Sequence, residues 1–255
     1  MTVNLTMTLL LAGAGLLVGS FLALVSVRLP LDEPIVLGRS RCRGCGRTLS
    51  PWRLIPLLGW LSQRGRCRDC GAPISVRYPA MEAAAAGIGA WAALSAATPV
   101  EGVILAVLGW QLLLIAVVDG EHQWLPDALT APLFVTGVAA ALWLGRADWS
   151  GALIDALAGA VVGFGGLWLL AWLYRRVRGR EGLGGGDPFL LAAGGAWVGW
   201  IGLPSVLLWA SAAGLSLVVA RLVLRRPVGL QDRLAFGVFL AAGIWLTRLY
   251  GPLGL

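Results

Sequence analysis

The chain has 255 residues, of which 58% are hydrophobic and only 13% are charged. A soluble globular domain usually has about 25% charged residues, so this composition argues against a soluble fold and indicates a membrane protein. The formal net charge is +7, and every basic residue is an arginine. The arginines lie in clusters between long apolar runs, which membrane topology explains, and we therefore expect no nucleic-acid partner.

Eight apolar runs approach the ~20 residues that a helix needs to cross the hydrocarbon core of a bilayer. The sequence therefore predicts an all-α membrane protein with about eight transmembrane helices. Gly202-Leu203-Pro204 predicts a tight turn that separates the sixth run from the seventh. The first run has no basic start and no small-residue cleavage site, so we expect a retained helix and not a signal peptide. The predicted spans are residues 5–27, 80–97, 102–119, 127–145, 151–174, 188–202, 205–224 and 234–250.

The arginine clusters predict the orientation of the chain in its membrane. Ten arginines lie between Arg28 and Arg77, and two clusters of four follow at residues 175–180 and 221–233. Basic loops remain on the cytosolic side of a membrane, so we place the loop 28–79 in the cytosol. Alternation of the spans then places three further loops on the same side. They are residues 120–126, 175–187 and 225–233.

All four cysteines lie in the loop 28–79, in two Cys-x-x-Cys pairs about twenty residues apart, which is the spacing of a zinc ribbon. The pairs are Cys42 with Cys45 and Cys67 with Cys70. Two disulfides are a rival hypothesis, but disulfides are rare in the reducing cytosol. A redox-active dithiol is a further alternative. Four thiolates would leave no open coordination position, so the sequence predicts a structural zinc ion.

Three aspartates lie at the predicted cytosolic ends of spans, where acidic residues are candidates for function: Asp119, Asp127 and Asp187. Asp187 precedes Pro188, which is also the pattern of a helix N-cap, and Asp127 could stabilise the start of a helix by its charge. Asp119 is the hardest to explain by helix stability, because a carboxylate is unfavourable near a helix C-terminus. The residues alone leave open which of these aspartates form a catalytic pair.

An ordered series of short motifs extends over nearly the whole chain. The motifs of the N-terminal part are Gly19-Ser20-Phe21-Leu22, Val27-Arg28-Leu29-Pro30, Ser40-Arg41-Cys42, Ile55-Pro56-Leu57-Leu58-Gly59-Trp60-Leu61, Arg64-Gly65-Arg66-Cys67 and Ile74-Ser75-Val76-Arg77-Tyr78-Pro79. Those of the C-terminal part are Asp119 with His122, Leu125-Pro126-Asp127, Leu129-Thr130, Gly184-Gly185-Gly186-Asp187, Leu190-Leu191-Ala192-Ala193, Gly195-Ala196-Trp197-Val198-Gly199-Trp200 and Phe236-Gly237-x-Phe239. In this order the motifs resemble one family, the bacterial prepilin peptidases. These enzymes are also called type IV leader peptidases and belong to the GxGD group of aspartyl proteases.

The resemblance implies an aspartic endopeptidase of the bacterial inner (plasma) membrane that removes the leader peptide of type IV prepilins or pseudopilins, cutting after a glycine at the cytosolic membrane face. It implies Asp119 and Asp187 as the catalytic pair, with Asp127 as a neighbour within the motif. Many members also methylate the new N-terminus, which implies S-adenosylmethionine as methyl donor. Since two close carboxylates do not both ionise easily, one would activate the attacking water and the other would protonate the carbonyl oxygen.

The predicted organisation has three parts. Residues 1–27 form the first transmembrane helix, residues 28–79 form the cytosolic four-cysteine zinc-binding loop, and residues 80–255 form the transmembrane aspartyl protease domain.

Two positions near the predicted catalytic pair depart from the family pattern. The family usually has a lysine two residues after the aspartate of the Gly-x-Gly-Asp motif, where this chain has Phe189, and Glu121 stands where an aspartate is common. A degenerate paralogue that binds pilin-like helices without cutting them is therefore a second hypothesis. A multi-pass transporter with a zinc-ribbon loop is a third.

Overall fold

The structure, a computed structural model, describes residues 2–37, 39–180, 182, 184–224 and 235–254. These residues form eight α-helices, with two isolated β-bridges and no sheet, which confirms the predicted all-α fold class. The arginines from Arg225 to Arg233, part of a predicted cytosolic loop, lie outside the described residues. The helices are α1 (Thr2–Arg28), α2 (Leu58–Ser62), α3 (Arg77–Ser95), α4 (Pro99–His122), α5 (Asp127–Leu144), α6 (Trp149–Arg178), α7 (Asp187–Val223) and α8 (Phe236–Tyr250).

Five helical segments of the described chain are long and apolar enough to cross a membrane, which confirms a helical membrane protein. Helix α8 is apolar but shorter. The number of eight spans stays a prediction. The five segments are Leu5–Leu31, Pro99–His122, Asp127–Leu144, Arg146–Arg178 and Asp187–Val223.

Helix α7 contains the two runs that the sequence separates into a sixth and a seventh span. Its 37 residues correspond to a length of about 55 Å, well beyond the ~30 Å of hydrocarbon in a bilayer. The predicted turn at Gly202-Leu203-Pro204 is wrong, because these residues are helical and the backbone is interrupted at Gly199, with φ 70° and ψ 174°. Only glycine readily adopts this conformation. A Cβ atom at Gly199 would also collide with the carboxylate of Asp155 in α6.

Local capping explains where α4 begins and where α6 ends. The hydroxyl of Thr98 accepts the backbone N–H of Glu101 (3.2 Å), and the Glu101 carboxylate accepts the backbone N–H of Ala97 (3.0 Å). These reciprocal bonds satisfy free donors at a helix start, and Pro99 occupies the first helical position, where its missing N–H is harmless. Helix α6 ends at Gly179, whose φ of 65° is the usual left-handed C-cap.

The chain divides into two compact units, residues 1–114 and residues 115–255. In the first unit, α1 packs on α3 and small residues bring the two backbones together. A Cβ atom at Gly19 would meet the Cα atom of Glu82 at 2.7 Å, and one at Gly89 would collide with the carbonyl of Leu11. The segment between these two helices contains the cysteines.

In the second unit, α7 packs against α5, α6 and α8. Gly159 of α6 and Gly195 of α7 approach so closely that a Cβ atom on either would collide with the carbonyl oxygen of the other. The indole of Trp197 in α7 donates a hydrogen bond to the Leu133 carbonyl of α5 (2.9 Å). These contacts hold the first half of α7, which begins with Asp187, among the other helices. The functional division at residues 27 and 79 stays a prediction.

Candidate active site and metal centre

The two cysteine pairs have the same backbone structure. In the first, the N–H of Gly46 bonds to the Cys42 carbonyl (2.8 Å) and the N–H of Cys42 to the Arg47 carbonyl (2.9 Å). In the second, the N–H of Gly71 bonds to the Cys67 carbonyl (2.8 Å), and the Cys67 N–H bonds to the equivalent downstream carbonyl at the same distance. Gly46 and Gly71 have φ values of 69° and 73°, so glycine is required at both turns.

The four sulfur atoms form a compact cluster. All four cysteines are free thiols, their Sγ atoms lie within 4.8 Å of one another, and those of Cys42 and Cys70 are 3.7 Å apart. A tetrahedral zinc ion with bonds of about 2.3 Å requires sulfur–sulfur distances of about 3.8 Å. Gly44 allows this approach, because a Cβ atom there would meet Ala72 at 2.8 Å and the Cys70 sulfur at 3.4 Å. The predicted cysteines are therefore placed to hold a metal ion.

Hydrogen bonds and charged groups surround the sulfur cluster. Backbone hydrogen bonds at Cys45 and Gly44 lower the pKa of the Cys42 thiol to about 7, whereas burial and the other three thiols raise the pKa of Cys70 to about 12. Asp69, within the second pair, accepts hydrogen bonds from Arg53 (2.5 Å) and from Arg47 of the first pair (2.8 Å). These arginines hold the pKa of Asp69 below its usual range, and their ion pairs connect the two halves of the cluster.

Asp119 lies in the last turn of α4 with only 5% of its surface exposed. Its carboxylate oxygen Oδ2 accepts the backbone N–H of Val238, at the start of α8 (3.2 Å). The N-terminus of a helix stabilises negative charge, so α8 compensates the unfavourable position of Asp119 at the end of its own helix. A Cβ atom at Gly237 would meet this oxygen at 2.7 Å, so glycine is needed for the approach.

Asp187 is the first residue of α7 and is 3% exposed. Its oxygen Oδ2 accepts the backbone N–H of Gly184 (3.0 Å), which lies in the preceding glycine-rich segment. The N-cap of α7 is Gly186, so the interpretation of Asp187 as an N-cap is wrong. The carboxylate points back toward the loop, because Gly184 offers a donor there, and it makes no capping bond to the helix that follows.

Leu125 contacts the surroundings of both aspartates. A Cβ atom at Gly186, next to Asp187, would meet Leu125 Cβ at 2.5 Å. A Cβ atom at Gly237, whose neighbour Val238 binds Asp119, would meet Leu125 Cδ1 at 3.0 Å. The carboxylates of Asp119 and Asp187 are close enough to interact electrostatically. The structure therefore brings these two predicted residues together within the second unit.

The other residues at the predicted site have different surroundings. Asp127 lies in the first turn of α5 and is less buried than the other two aspartates, as expected of a residue that stabilises a helix start. His122 ends α4 and is exposed, with Nε2 3.8 Å from a carboxylate oxygen of Glu121. Phe189, at the position of the usual lysine, packs edge-on against Phe164 with ring centroids 5.1 Å apart. An aromatic contact between α6 and α7 thus replaces the cation of the family pattern.

Sequence reasoning missed the roles of Leu125, Gly237 and Val238. All three lie in or beside motifs that resemble the family, but the sequence alone assigns no physical role to these residues. The available signal was Gly237 at the start of an apolar helix, since such a glycine indicates that another group approaches closely. No local pattern shows that this group is the carboxylate of Asp119.

Comparisons with known proteins agree with this architecture. A family model described as the bacterial peptidase A24 N-terminal domain matches residues 14–96, and one described as the type IV leader peptidase family matches residues 106–219. Prepilin leader peptidase/N-methyltransferases of Pseudomonas putida and Pseudomonas aeruginosa are each 38% identical to this chain, over 93% of it and 88% of their own length. The protein of that name from Burkholderia pseudomallei strain K96243 is 40% identical, over 88% of this chain and 71% of its own. No solved structure matches significantly.

A helical membrane protein with two buried aspartates, one directly after a glycine-rich segment, has the arrangement expected of an aspartyl protease within a membrane. The chain belongs to the type IV leader peptidase family.

Proposed function

We propose that this protein is a prepilin peptidase and N-methyltransferase, which removes the leader peptide of type IV prepilins or pseudopilins and methylates the new N-terminus. Membership of the family and 38–40% identity to relatives named for both activities support this function. The observation that carries the peptidase activity is the pair of buried aspartates, Asp119 and Asp187, which lie within electrostatic range of each other.

The proposed reaction is hydrolysis of the peptide bond after the leader glycine by this aspartate pair. One carboxylate accepts a proton from a water molecule, whose oxygen attacks the scissile carbonyl, while the protonated partner donates to the carbonyl oxygen. Collapse of the tetrahedral intermediate breaks the C–N bond, and the leaving amine takes a proton. The pair shares its protons as a unit, so either aspartate can serve as the base.

The proposed orientation places the aspartates and the cysteine cluster on the cytosolic side of the inner membrane. The ten arginines between Arg28 and Arg77 support this orientation through the positive-inside rule. A prepilin would then lie with its apolar helix in the bilayer and its leader junction at the level of the aspartates.

We further propose a structural zinc ion at Cys42, Cys45, Cys67 and Cys70 and S-adenosylmethionine as methyl donor. The sulfur–sulfur distances support the zinc ion. The names of the relatives support the methyl donor. When bound, this donor supplies an activated methyl group to the amine that cleavage exposes.

The test uses the purified full-length protein in detergent, a type IV prepilin and S-adenosylmethionine, with mass spectrometry of the products. The wild-type protein is expected to release the leader and add one methyl group. Because general acid–base catalysis contributes at least about 10²-fold, Asp119→Asn and Asp187→Asn are each expected to slow cleavage by that factor or more.

The matched control is Asp127→Asn, which changes a less buried aspartate of the same region and is expected to retain cleavage. Normal cleavage by either Asp119→Asn or Asp187→Asn contradicts the catalytic assignment. A wild-type protein that binds prepilin and does not cut it contradicts the peptidase function and supports the degenerate paralogue.

A further inference from the structure

Helix α2 and the 3₁₀ turn before it, Pro51–Leu54, expose large apolar side chains in the segment between α1 and α3. Trp52, Leu58 and Leu61 are 79%, 63% and 60% exposed. Single apolar residues are common on protein surfaces, but several on one short element mark a surface that contacts a partner or a membrane. The position of α2 beside the helices of the first unit indicates which of these it contacts.

Helix α2 has one face that is buried and one that is apolar and exposed. A Cβ atom at Gly59 would collide with the carbonyl of Arg53, so α2 and the preceding turn touch at their backbones. Gly59 and Gln63 are one helical turn apart and buried. Leu58 and Leu61, three residues apart, lie on the opposite face of the helix. The exposed leucines therefore point away from the rest of the first unit.

A buried glutamate of α3 determines the level of α2 along the helices. Glu82 is 5% exposed, and its oxygen Oε2 accepts the backbone N–H of Leu57, directly before α2 (2.7 Å). Leu57 has a φ of 59°, which leucine rarely adopts, so this bond holds a strained turn in place. Glu82 lies opposite Gly19 of α1, because a Cβ atom at Gly19 would meet the Cα atom of Glu82 at 2.7 Å. Along α1, Gly19 lies about 13 Å before Arg28, where the helix ends.

The start of α2 therefore lies beside α1 and not beyond its end. A cavity of about 650 Å³ agrees with this position, because both helices line it: Ser20 and Leu24 from α1, and Trp60 and Gln63 with α2. Helix α1 belongs to Leu5–Leu31, a segment long and apolar enough to cross a membrane. An element held beside such a helix, on the inner side of its last turns, lies at the level of the bilayer surface.

The charge of the segment complements an anionic bilayer surface. Residues 28–79 contain ten arginines and three acidic residues. One of these charges lies at the end of α2, where the guanidinium of Arg68 donates to the Ser62 carbonyl (3.1 Å). Tryptophan and leucine beside arginine are typical of elements in the membrane interface, because the apolar groups enter the acyl region while the guanidinium meets lipid phosphates.

We propose that residues 51–62 are an interfacial anchor, which lies in the leaflet on the side of the cysteine cluster and binds anionic phospholipid. Trp52, Leu58 and Leu61 contact acyl chains, and Arg68 contacts a lipid phosphate. The anchor holds the cysteine cluster against the membrane surface. In the proposed orientation this is the cytosolic leaflet. The lipid contact itself depends neither on that orientation nor on peptidase activity.

The test places the photoreactive amino acid benzoylphenylalanine at single positions of the full-length, zinc-loaded protein in vesicles of phosphatidylethanolamine and phosphatidylglycerol. After irradiation, mass spectrometry measures the adducts with phospholipid. The label in place of Leu58 or Leu61 is expected to give about tenfold more lipid adduct than the label in place of Thr48, because an interfacial side chain reaches the acyl chains. Zinc content and thermal unfolding of the same samples check that the unit remains folded.

Thr48 is the matched control for the photoreactive label. It is an exposed residue of the same segment, outside residues 51–62, and forms the antiparallel bridge of the first cysteine pair with Arg41. Equal lipid adducts from Thr48 and Leu61 overturn the interfacial anchor. Adducts of Leu61 with a second copy of this chain, or with added prepilin, in place of phospholipid also overturn it.

The contact with a lipid phosphate is tested by the composition of the adducts formed at Leu61. Phosphatidylglycerol is expected to be enriched in them over its share of the vesicles, and Arg68→Gln is expected to lower this enrichment about twofold or more. Arg41→Gln is the control, because it removes the same charge from a side chain that lines the cavity, and it is expected to retain the enrichment. An enrichment that Arg68→Gln leaves unchanged overturns the phosphate contact.

The wild-type chain provides a measurement without any substitution. An apolar carbene reagent dissolved in the bilayer is expected to label residues 54–64, which trypsin releases as one peptide by cutting after Arg53 and Arg64. A peptide without label overturns the proposal. Lipid contacts at Leu58 and Leu61 in a protein that cuts no prepilin support the anchor and contradict only the proposed function.

Discussion

At the residue scale, each aspartate depends on a neighbouring glycine. Gly237 leaves room for the Asp119 carboxylate, and Gly186 leaves room for Leu125 directly before Asp187. Gly185 is different, because a Cβ atom there would contact nothing within 4 Å. The first and third glycines of the Gly-x-Gly-Asp segment therefore have structural roles: Gly184 donates to Asp187 and Gly186 packs. Gly185, at the middle position, has neither role.

The different surroundings of Gly185 and Gly186 lead to a prediction that compares substitutions at these two adjacent residues. Gly186→Ala is expected to displace Leu125, and with it the Asp187 carboxylate, and to lower the rate of leader cleavage by about tenfold or more, because small displacements of catalytic groups are costly. Gly185→Ala is expected to cleave at close to the wild-type rate. Initial rates with purified variants measure both. Equal rates for the two variants would show that the packing on Leu125 does not position the carboxylate.

The sequence predicted the two aspartates that meet, but only through likeness to a family. Local reasoning singled out Asp119 as the hardest to explain by helix stability, but it left open the partner of Asp119, since Asp127 and Asp187 both lie at predicted helix starts. Burial distinguishes Asp127 from the others, and burial results from packing between helices distant in the chain. The partner of Asp119, the N–H of Val238, is 119 residues away, so no local pattern predicts this bond.

At the scale of elements, the interruption of α7 shows where sequence rules fail. Gly202 and Pro204 are both helix breakers and predict a turn, yet the chain remains helical there. The interruption occurs at Gly199, where the positive φ and the nearby Asp155 leave no room for a side chain. The sequence predicts that the long apolar run is broken. It does not predict that the break occurs at Gly199, because the side chain that approaches this glycine, Asp155, belongs to α6.

Substitution of Gly199 tests this account. Gly199→Ala is expected to destabilise the protein by about 1–3 kcal/mol, because alanine is strained in this conformation and its Cβ atom would collide with Asp155. Gly166→Ala, in an open position of α6, is expected to change stability by less than about 1 kcal/mol. Thermal and denaturant unfolding in detergent measure both. A Gly199→Ala protein as stable as Gly166→Ala would refute the strain at this position.

At the scale of the whole molecule, two compact units contain different chemistry. The cysteine cluster and the 650 Å³ cavity belong to the first unit, and the aspartate pair belongs to the second. The matches to two family models cover residues 14–96 and 106–219, and the gap between them lies shortly before the boundary between the units at residue 114. Composition and hydropathy predicted a helical membrane protein, and cysteine spacing predicted the cluster. The division into two units depends on contacts between helices, which neither the composition nor the cysteine spacing reveals.

Limited proteolysis tests the proposed orientation and the metal ion together. Trypsin cuts this chain only after arginine, because it contains no lysine. The segment 28–79 is expected to resist trypsin in intact spheroplasts and to be cut in inverted membrane vesicles. A zinc chelator is expected to accelerate cutting in the vesicles, because the cysteine pairs lose the ion that holds them together.

Two observations serve as controls for the proteolysis. Cys67→Ser is expected to be cut in vesicles as fast as the chelated wild-type protein, and re-added zinc is expected to protect only the wild-type protein. Rapid cutting of the segment in intact spheroplasts contradicts the cytosolic orientation. Cutting that is insensitive to both the chelator and Cys67→Ser contradicts the structural metal ion.

The contacts of Leu125 have a consequence for how the peptidase can be tuned. Its Cβ atom faces Gly186 and its Cδ1 atom faces Gly237, so one uncharged side chain is a spacer between the supports of the two carboxylates. We expect a change in the width of this side chain to move the two carboxylates relative to each other, and with them the room for a water molecule and a peptide carbonyl. The geometry of the proposed acid–base pair would then be adjustable at a residue that carries no proton.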